Sequence, residues 1–161
     1  GGAEAGASAG GGVVVLDVRD PACLVGRGVA WPRAVLPPGL TEREAGGPGA
    51  RQERGVGLRR RSARVVLTGG RPVLHAAPRM RALTSFTPDR GELLDALVAL
   101  VADEHRAAQR GARPGGARRC VVEALNGVPA LDRGVEALLT EAGLVRDPRG
   151  MRLAGGLREC L

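Results

Sequence analysis

Apolar residues in this chain fall into short runs separated by glycine, proline and charge, and the period of each run predicts an element. Residues 13–18 open with Val13-Val14-Val15-Leu16, a β-prone run stopped by Asp20-Pro21, and read as a short strand. Ala63-Arg64-Val65-Val66-Leu67-Thr68 is a second such run. Gly69-Gly70 then supplies a turn tolerant of positive φ, and Arg71-Pro72-Val73-Leu74-His75 resumes the apolar pattern, so a β-hairpin is expected. Pro72 has no N–H to donate, which predicts that the second strand begins at or just after it, or turns it to an edge. Residues 80–86 alternate weakly and read as a third strand, ending at Thr87-Pro88.

A longer period follows. Asp89 and Glu92 have the spacing of a capping box, and Leu93, Leu94, Leu97, Leu100 and Val101 lie on one stripe of the helix they introduce. That helix should reach about Gln109, where Gly111 and Pro114 end it. Residues 118–125 give another strand, with Cys120, Val121 and Val122 as its apolar part and Asn126-Gly127 as its closing turn. Val135, Leu138, Leu139 and Ala142 mark a second helix, with Asp132 as N-cap and Gly143 just past its end. Leu144-Val145 and Met151-Arg152-Leu153 flank Asp147-Pro148-Arg149-Gly150 as a terminal hairpin. The order β-β-β-α-β-α-β is α+β: a small antiparallel sheet or partial β-barrel with two packed helices, behind a flexible Gly-rich N-terminal lead.

The domain plan follows from the same pattern. Residues 1–12 form a disordered linker, 13–38 an irregular segment with a short strand, 39–62 a Gly/Arg-rich loop, 63–154 the α+β module and 155–161 a tail. The opening on glycine, with no basic region leading into an apolar core, reads as an internal or trimmed piece and not a secreted precursor. No run approaches a membrane span; the longest, residues 93–102, is interrupted by Asp95.

Composition sharpens this. A length of 161 residues suits one ordinary domain and leaves no room for an ATP-driven motor or a two-lobed enzyme. All 24 basic residues are arginine, against 17 acidic ones, and lysine, tyrosine and isoleucine are absent, the mark of a high-GC genome. The net charge of +7 still favours a polyanionic partner. With only Trp31 and Phe86 as aromatic rings, a stacking platform for single-stranded nucleic acid cannot be built. Cys23, Cys120 and Cys160 are too widely spaced for a disulfide framework or a zinc half-site and read as small buried hydrophobes, so no metal is expected.

Catalytic chemistry finds little support. Asp89, Glu92, Asp95, Asp103 and Glu104 are spaced as caps and helix-surface charges. Asp103-Glu104-His105-Arg106 echoes the Asp-Glu box of a nucleotide-dependent motor, but lies on a helix where that box needs the end of a buried strand; it reads as a solvated last turn. Ser85 lies in no nucleophile elbow, and His75 beside it reads as a hydrogen-bonded strand residue, not a base or ligand. Trp31 reads as a plug into the core. The material for nucleic-acid binding is Arg59, Arg60, Arg61 and Arg64, then Arg79 and Arg81, Arg118 and Arg119, and Arg149 and Arg152, whose guanidinium groups could reach phosphates without reading sequence.

Four blocks of the chain resemble the C-terminal region of Lhr-type (large helicase-related) superfamily 2 DEAD/DEAH-box DNA helicases of bacteria. They are Asp20-Pro21-Ala22 with Trp31-Pro32; Arg64 to Leu74 with Arg81 to Phe86; Val121 to Ala130; and Glu141 to Leu144 with Pro148 to Leu153. They occur in the family's order and span roughly residues 20–154. The chain departs from the family pattern at His75, where the family has tyrosine, and at Leu144, where it has an aromatic residue. Ala77, Pro78, Arg79 and Met80 stand where the family has Glu-Arg-Gly-Gly.

The resemblance implies a C-terminal non-motor module of an ATP-dependent DNA helicase, active in DNA repair, in the cytoplasm at the nucleoid. ATP and Mg would belong to the parent's motor, since this chain has no P-loop and no lysine for a β/γ-phosphate; the fragment itself needs no cofactor. Its implied partners are DNA, single-stranded or bound without regard to sequence, and the rest of the helicase, with no membrane. Two alternatives stand beside this: a glycosylase-like base-excision domain related by fold, and an inactive remnant of a truncated helicase gene, of which 39–62 would be a frame-shifted part.

Overall fold

Three sequence devices fix the central sheet: a glycine turn, a proline at a bulge and an asparagine that acts as a strand. The structure, a computed structural model, describes residues 12–40, 61–110 and 120–154. Strand β1 (Val13–Asp17) pairs antiparallel with β2 (Arg64–Thr68), which turns at Gly69-Gly70, both at positive φ, into β3 (Arg71–Ala76). The predicted hairpin is therefore present. Pro72 lies inside β3, opposite Leu67, where the register shifts between Val66 and Leu67, and β3 pairs onward only from Leu74 to Ala76. A bulge is where a sheet tolerates a residue with no N–H.

Beyond β3 a turn over Pro78–Met80 leads into β4 (Ala82–Ser85), so the third strand starts two residues later than the alternation suggests. Helix α1 (Arg90–Arg110) then carries the chain back, and β6 (Ala124–Leu125) pairs parallel with β4 before turning into β7 (Val128–Pro129). The sheet is thus mixed, in the order β1-β2-β3-β4-β6-β7, and no closed barrel forms. The parallel pair arises because the long helical connection returns the chain in the direction it left, which a hairpin cannot do. The strand expected over 118–125 divides at Glu123. Its first part, β5 (Val121–Val122), belongs to a second sheet of order β5-β9-β8, with β8 (Leu144–Asp147) and β9 (Gly150–Leu153) as the terminal hairpin. Helix α2 (Arg133–Glu141) precedes that hairpin, capped by the Asp132 carboxylate on the Gly134 N–H, with Gly143 at φ +101° after it.

Alternate residues of β2 enter two cores. Val66 joins Val73, Leu74 and Leu83 with the α1 stripe of Leu93, Ala96, Leu97, Leu100 and Val101 and the α2 stripe of Val135, Leu138 and Leu139. Val65 joins Val18, Cys23, Val25 and Ala63 on the opposite side, with Leu16, Leu67 and Trp31 packed against them. A strand covered on both faces needs the unbroken apolar run that β2 has. Cys23 and Cys120 are buried without a disulfide, and Cys160 lies outside the described residues, as do 1–11, most of 39–62, and 155–161. No described helix is long and apolar enough to cross a membrane.

The two caps differ in detail. Asp89 accepts the Glu92 N–H at 2.9 Å, the first half of the expected capping box. The Glu92 carboxylate does not reach back; it pairs with Arg71 at 2.9 Å and ties α1 to the start of β3.

Candidate nucleic-acid interface

Of the ten arginines singled out for phosphate contact, Arg59, Arg60, Arg118 and Arg119 lie outside the described residues. The other six divide by whether a carboxylate already holds them. Arg64 is clamped by Asp103 and Glu104, Arg81 meets Glu123 at 3.1 Å, and Arg152 lies 4.0 Å from Asp147. Arg61, Arg79 and Arg149 are exposed and form no ion pair among the described residues. Elsewhere Arg90 meets Glu141 at 2.7 Å and Arg146 meets Glu136 at 2.9 Å. The described residues carry 15 arginines and 12 carboxylates, so most of this surface is close to neutral and the chain's overall charge overstates its pull on DNA.

Arg79, Arg81, Arg149 and Arg152 come together where the two sheets meet. The Arg81 carbonyl accepts the Glu123 N–H at 2.8 Å, so the turn over Pro78–Met80 sits against the point where the chain passes from β5 to β6. On the far side of β5, Val122 is opposite Met151 and Val121 opposite Arg152. Gly150 packs so tightly that a Cβ there would collide with the Val122 carbonyl and stand 3.3 Å from the Glu123 Cα. Arg149, one residue earlier in the β8–β9 turn, is therefore brought beside Glu123. The Asp147 carboxylate shapes that turn by accepting the Arg149 N–H at 3.0 Å.

Arg64 belongs to a different arrangement. It leaves β2 toward α1, where the Asp103 and Glu104 side chains retain only 14% and 17% of their exposure, and Arg106 adds a contact to Asp103 at 3.7 Å. These acids are not the solvated last turn that their spacing suggests. Burial, opposed by Arg64 and reinforced by Asp103, holds the Glu104 carboxyl above the usual range. Its Oε2 lies 4.0 Å from the Cys120 thiol, whose pKa burial and the Glu104 charge push up to about 11 against the pull of Arg79 and Arg64. Such a thiol stays protonated and is a poor nucleophile. The cluster joins α1 to β2, and its carboxylates are occupied by arginine.

Ser85 and His75 do not form a catalytic pair. His75 is opposite Thr84 in the β3–β4 register, so Ser85, opposite Leu74, belongs to the other face of the sheet and donates to the Thr87 carbonyl at 3.1 Å. His75 is 2% exposed and edge-on to Trp31, with centroids 5.5 Å apart; Phe86 lies 5.9 Å from the same indole. Trp31 is thus the plug its isolation implied. The sequence gave no sign of what Asn126 does: at φ +48° it accepts the Ser85 N–H at 2.6 Å and donates to the Ser85 carbonyl at 3.3 Å, continuing the ladder past the end of β6. A scan against protein-family models and a search of curated proteins return no match to this chain.

Proposed function

We propose that the chain is a non-motor C-terminal module of an Lhr-type DNA helicase that contacts the DNA backbone without reading sequence. The observation that carries this reading is the turn over Pro78–Met80. Arg79 and Met80 stand where the family pattern has two glycines, and both adopt left-handed backbone, at φ +61° and +59°. That conformation suits glycine and costs other residues about 1 kcal/mol. A backbone that asks for glycine at those two positions is what a substituted version of the family's turn would have. Trp31, the β2–β3 hairpin, Asn126 and the β8–β9 turn, which bear the other blocks, are likewise residues on which the fold depends.

In this reading ATP and Mg stay with the motor of the parent protein, and the module works in the cytoplasm at the nucleoid, as part of DNA repair. Exposed arginines supply the contact, because a guanidinium on a turn reaches phosphate without entering a groove. Fluorescence anisotropy of labelled single-stranded and duplex oligonucleotides, titrated with the whole chain over a series of salt concentrations, tests it. The expected result is weak, sequence-indifferent binding that falls steeply with salt. No binding at low salt, or affinity indifferent to salt, would overturn the reading.

A further inference from the structure

We infer that the sheet junction bearing Arg79, Arg81, Arg149 and Arg152 around Glu123 is a phosphate-binding surface, with Glu123 as an internal stand-in for the polyanion. The inference rests on the DNA-contacting reading for the identity of that polyanion. Elsewhere an arginine meets a carboxylate one to one, as in Arg71 with Glu92, Arg90 with Glu141 and Arg146 with Glu136. At the junction four arginines have two carboxylates, Glu123 and Asp147, and Asp147 is already engaged by its own turn.

The Arg81–Glu123 pair is exposed, at 73% and 41%, so water screens it and parting it costs at most about 1 kcal/mol. A phosphate can therefore take the place of the Glu123 carboxylate on Arg81 while Arg79 and Arg149, which have no carboxylate of their own, close on it. Arg79 holds its place at a backbone cost that glycine would not incur, and residues kept in such conformations gather at sites of function. The two turns come from opposite sides of β5, so the surface exists only when both sheets are assembled.

The test compares the double variant Arg79→Gly/Arg149→Gln, the single variant Glu123→Gln and the control Arg27→Gln/Arg33→Gln, which removes two exposed arginines elsewhere. Glycine suits the backbone at residue 79, so the double variant folds, as circular dichroism checks. Each is titrated with a fluorescent oligo-dT and with inorganic polyphosphate across a salt series. Losing two phosphate contacts on a single strand lowers the slope of log K against log salt by about 1.4, or roughly 25-fold in affinity at about 0.1 M salt. Glu123→Gln should bind more tightly than the unaltered chain, and the control like it. A double variant that binds oligo-dT as the unaltered chain does overturns the surface and leaves the DNA reading standing. Polyphosphate binding that depends on Arg79 and Arg149, without DNA binding, keeps the surface and removes the DNA reading. Binding to neither removes both.

Discussion

Replacing Arg64 by methionine keeps the length of the side chain and removes the charge that the β2–α1 contact is built around. Asp103 and Glu104 would be left adjacent, with 14% and 17% of their side-chain exposure and only Arg106, at 3.7 Å from Asp103, to answer them. Breaking a fully buried pair costs about 3–5 kcal/mol and an exposed one about 0–1. Arg64 keeps 25% exposure, which places the loss at about 2–3 kcal/mol near neutral pH. The pH dependence has a definite sign. Glu104 already has a folded-state pKa above its ordinary 4.5, so its contribution is fully present below that value and is lost as pH rises through the folded pKa. Removing Arg64, the one group that lowers this pKa, deepens that loss. The deficit of Arg64→Met should therefore grow from under about 1 kcal/mol near pH 4, where the carboxyls take up protons, to its full size at pH 7. Urea unfolding of both proteins at the two pH values measures it, with unchanged m-values as the sign that only stability moved. A deficit that is the same at both, or below about 0.5 kcal/mol at pH 7, would refute a charge clamp.

Other expectations concern single positions. Gly150→Ala drives a methyl group into the Val122 carbonyl and should destabilise by about 1–3 kcal/mol; an unchanged urea midpoint would mean that the two sheets do not meet there. Arg79→Gly relieves a left-handed arginine and should raise stability by about 1 kcal/mol even as it weakens phosphate binding, and a lower midpoint would exclude the backbone conformation described. With its pKa at about 11, Cys120 is only about 0.1% thiolate at pH 8, so peptide-resolved alkylation with iodoacetamide should be far slower in the folded chain than in urea. Rapid native labelling of Cys120 would contradict its burial.

What could be read from the chain beforehand divides along physical lines. Elements defined by neighbours in sequence were legible: the Gly69-Gly70 hairpin, the Asp89 and Asp132 caps, the apolar stripes of both helices and the β8–β9 turn each depend on residues within a few positions of one another. Features that depend on distant partners were not. Nothing near residue 123 signals that one apolar run will be shared between two sheets, because the break is imposed by the Arg81 carbonyl on one side and the close approach of Gly150 on the other. The parallel pairing of β4 with β6 is likewise a consequence of where α1 sets the chain down.

The same distinction governs charge, and it bears directly on function. Arginine counts treat every guanidinium as equally available, yet Arg64 is consumed inside the fold by acids 39 and 40 positions away, while Arg79 and Arg149 acquire their neighbourhood only from assembly of the second sheet. A positive net charge therefore sets the class of partner, and the pairing of individual arginines sets the place where that partner can be held. Three exposed arginines that share the surroundings of one carboxylate offer a polyanion more than a larger number of arginines each already matched, because a matched pair must be broken before it can bind. On that ground the junction around Glu123, and not the density of arginine along the chain, is where contact with DNA should be sought.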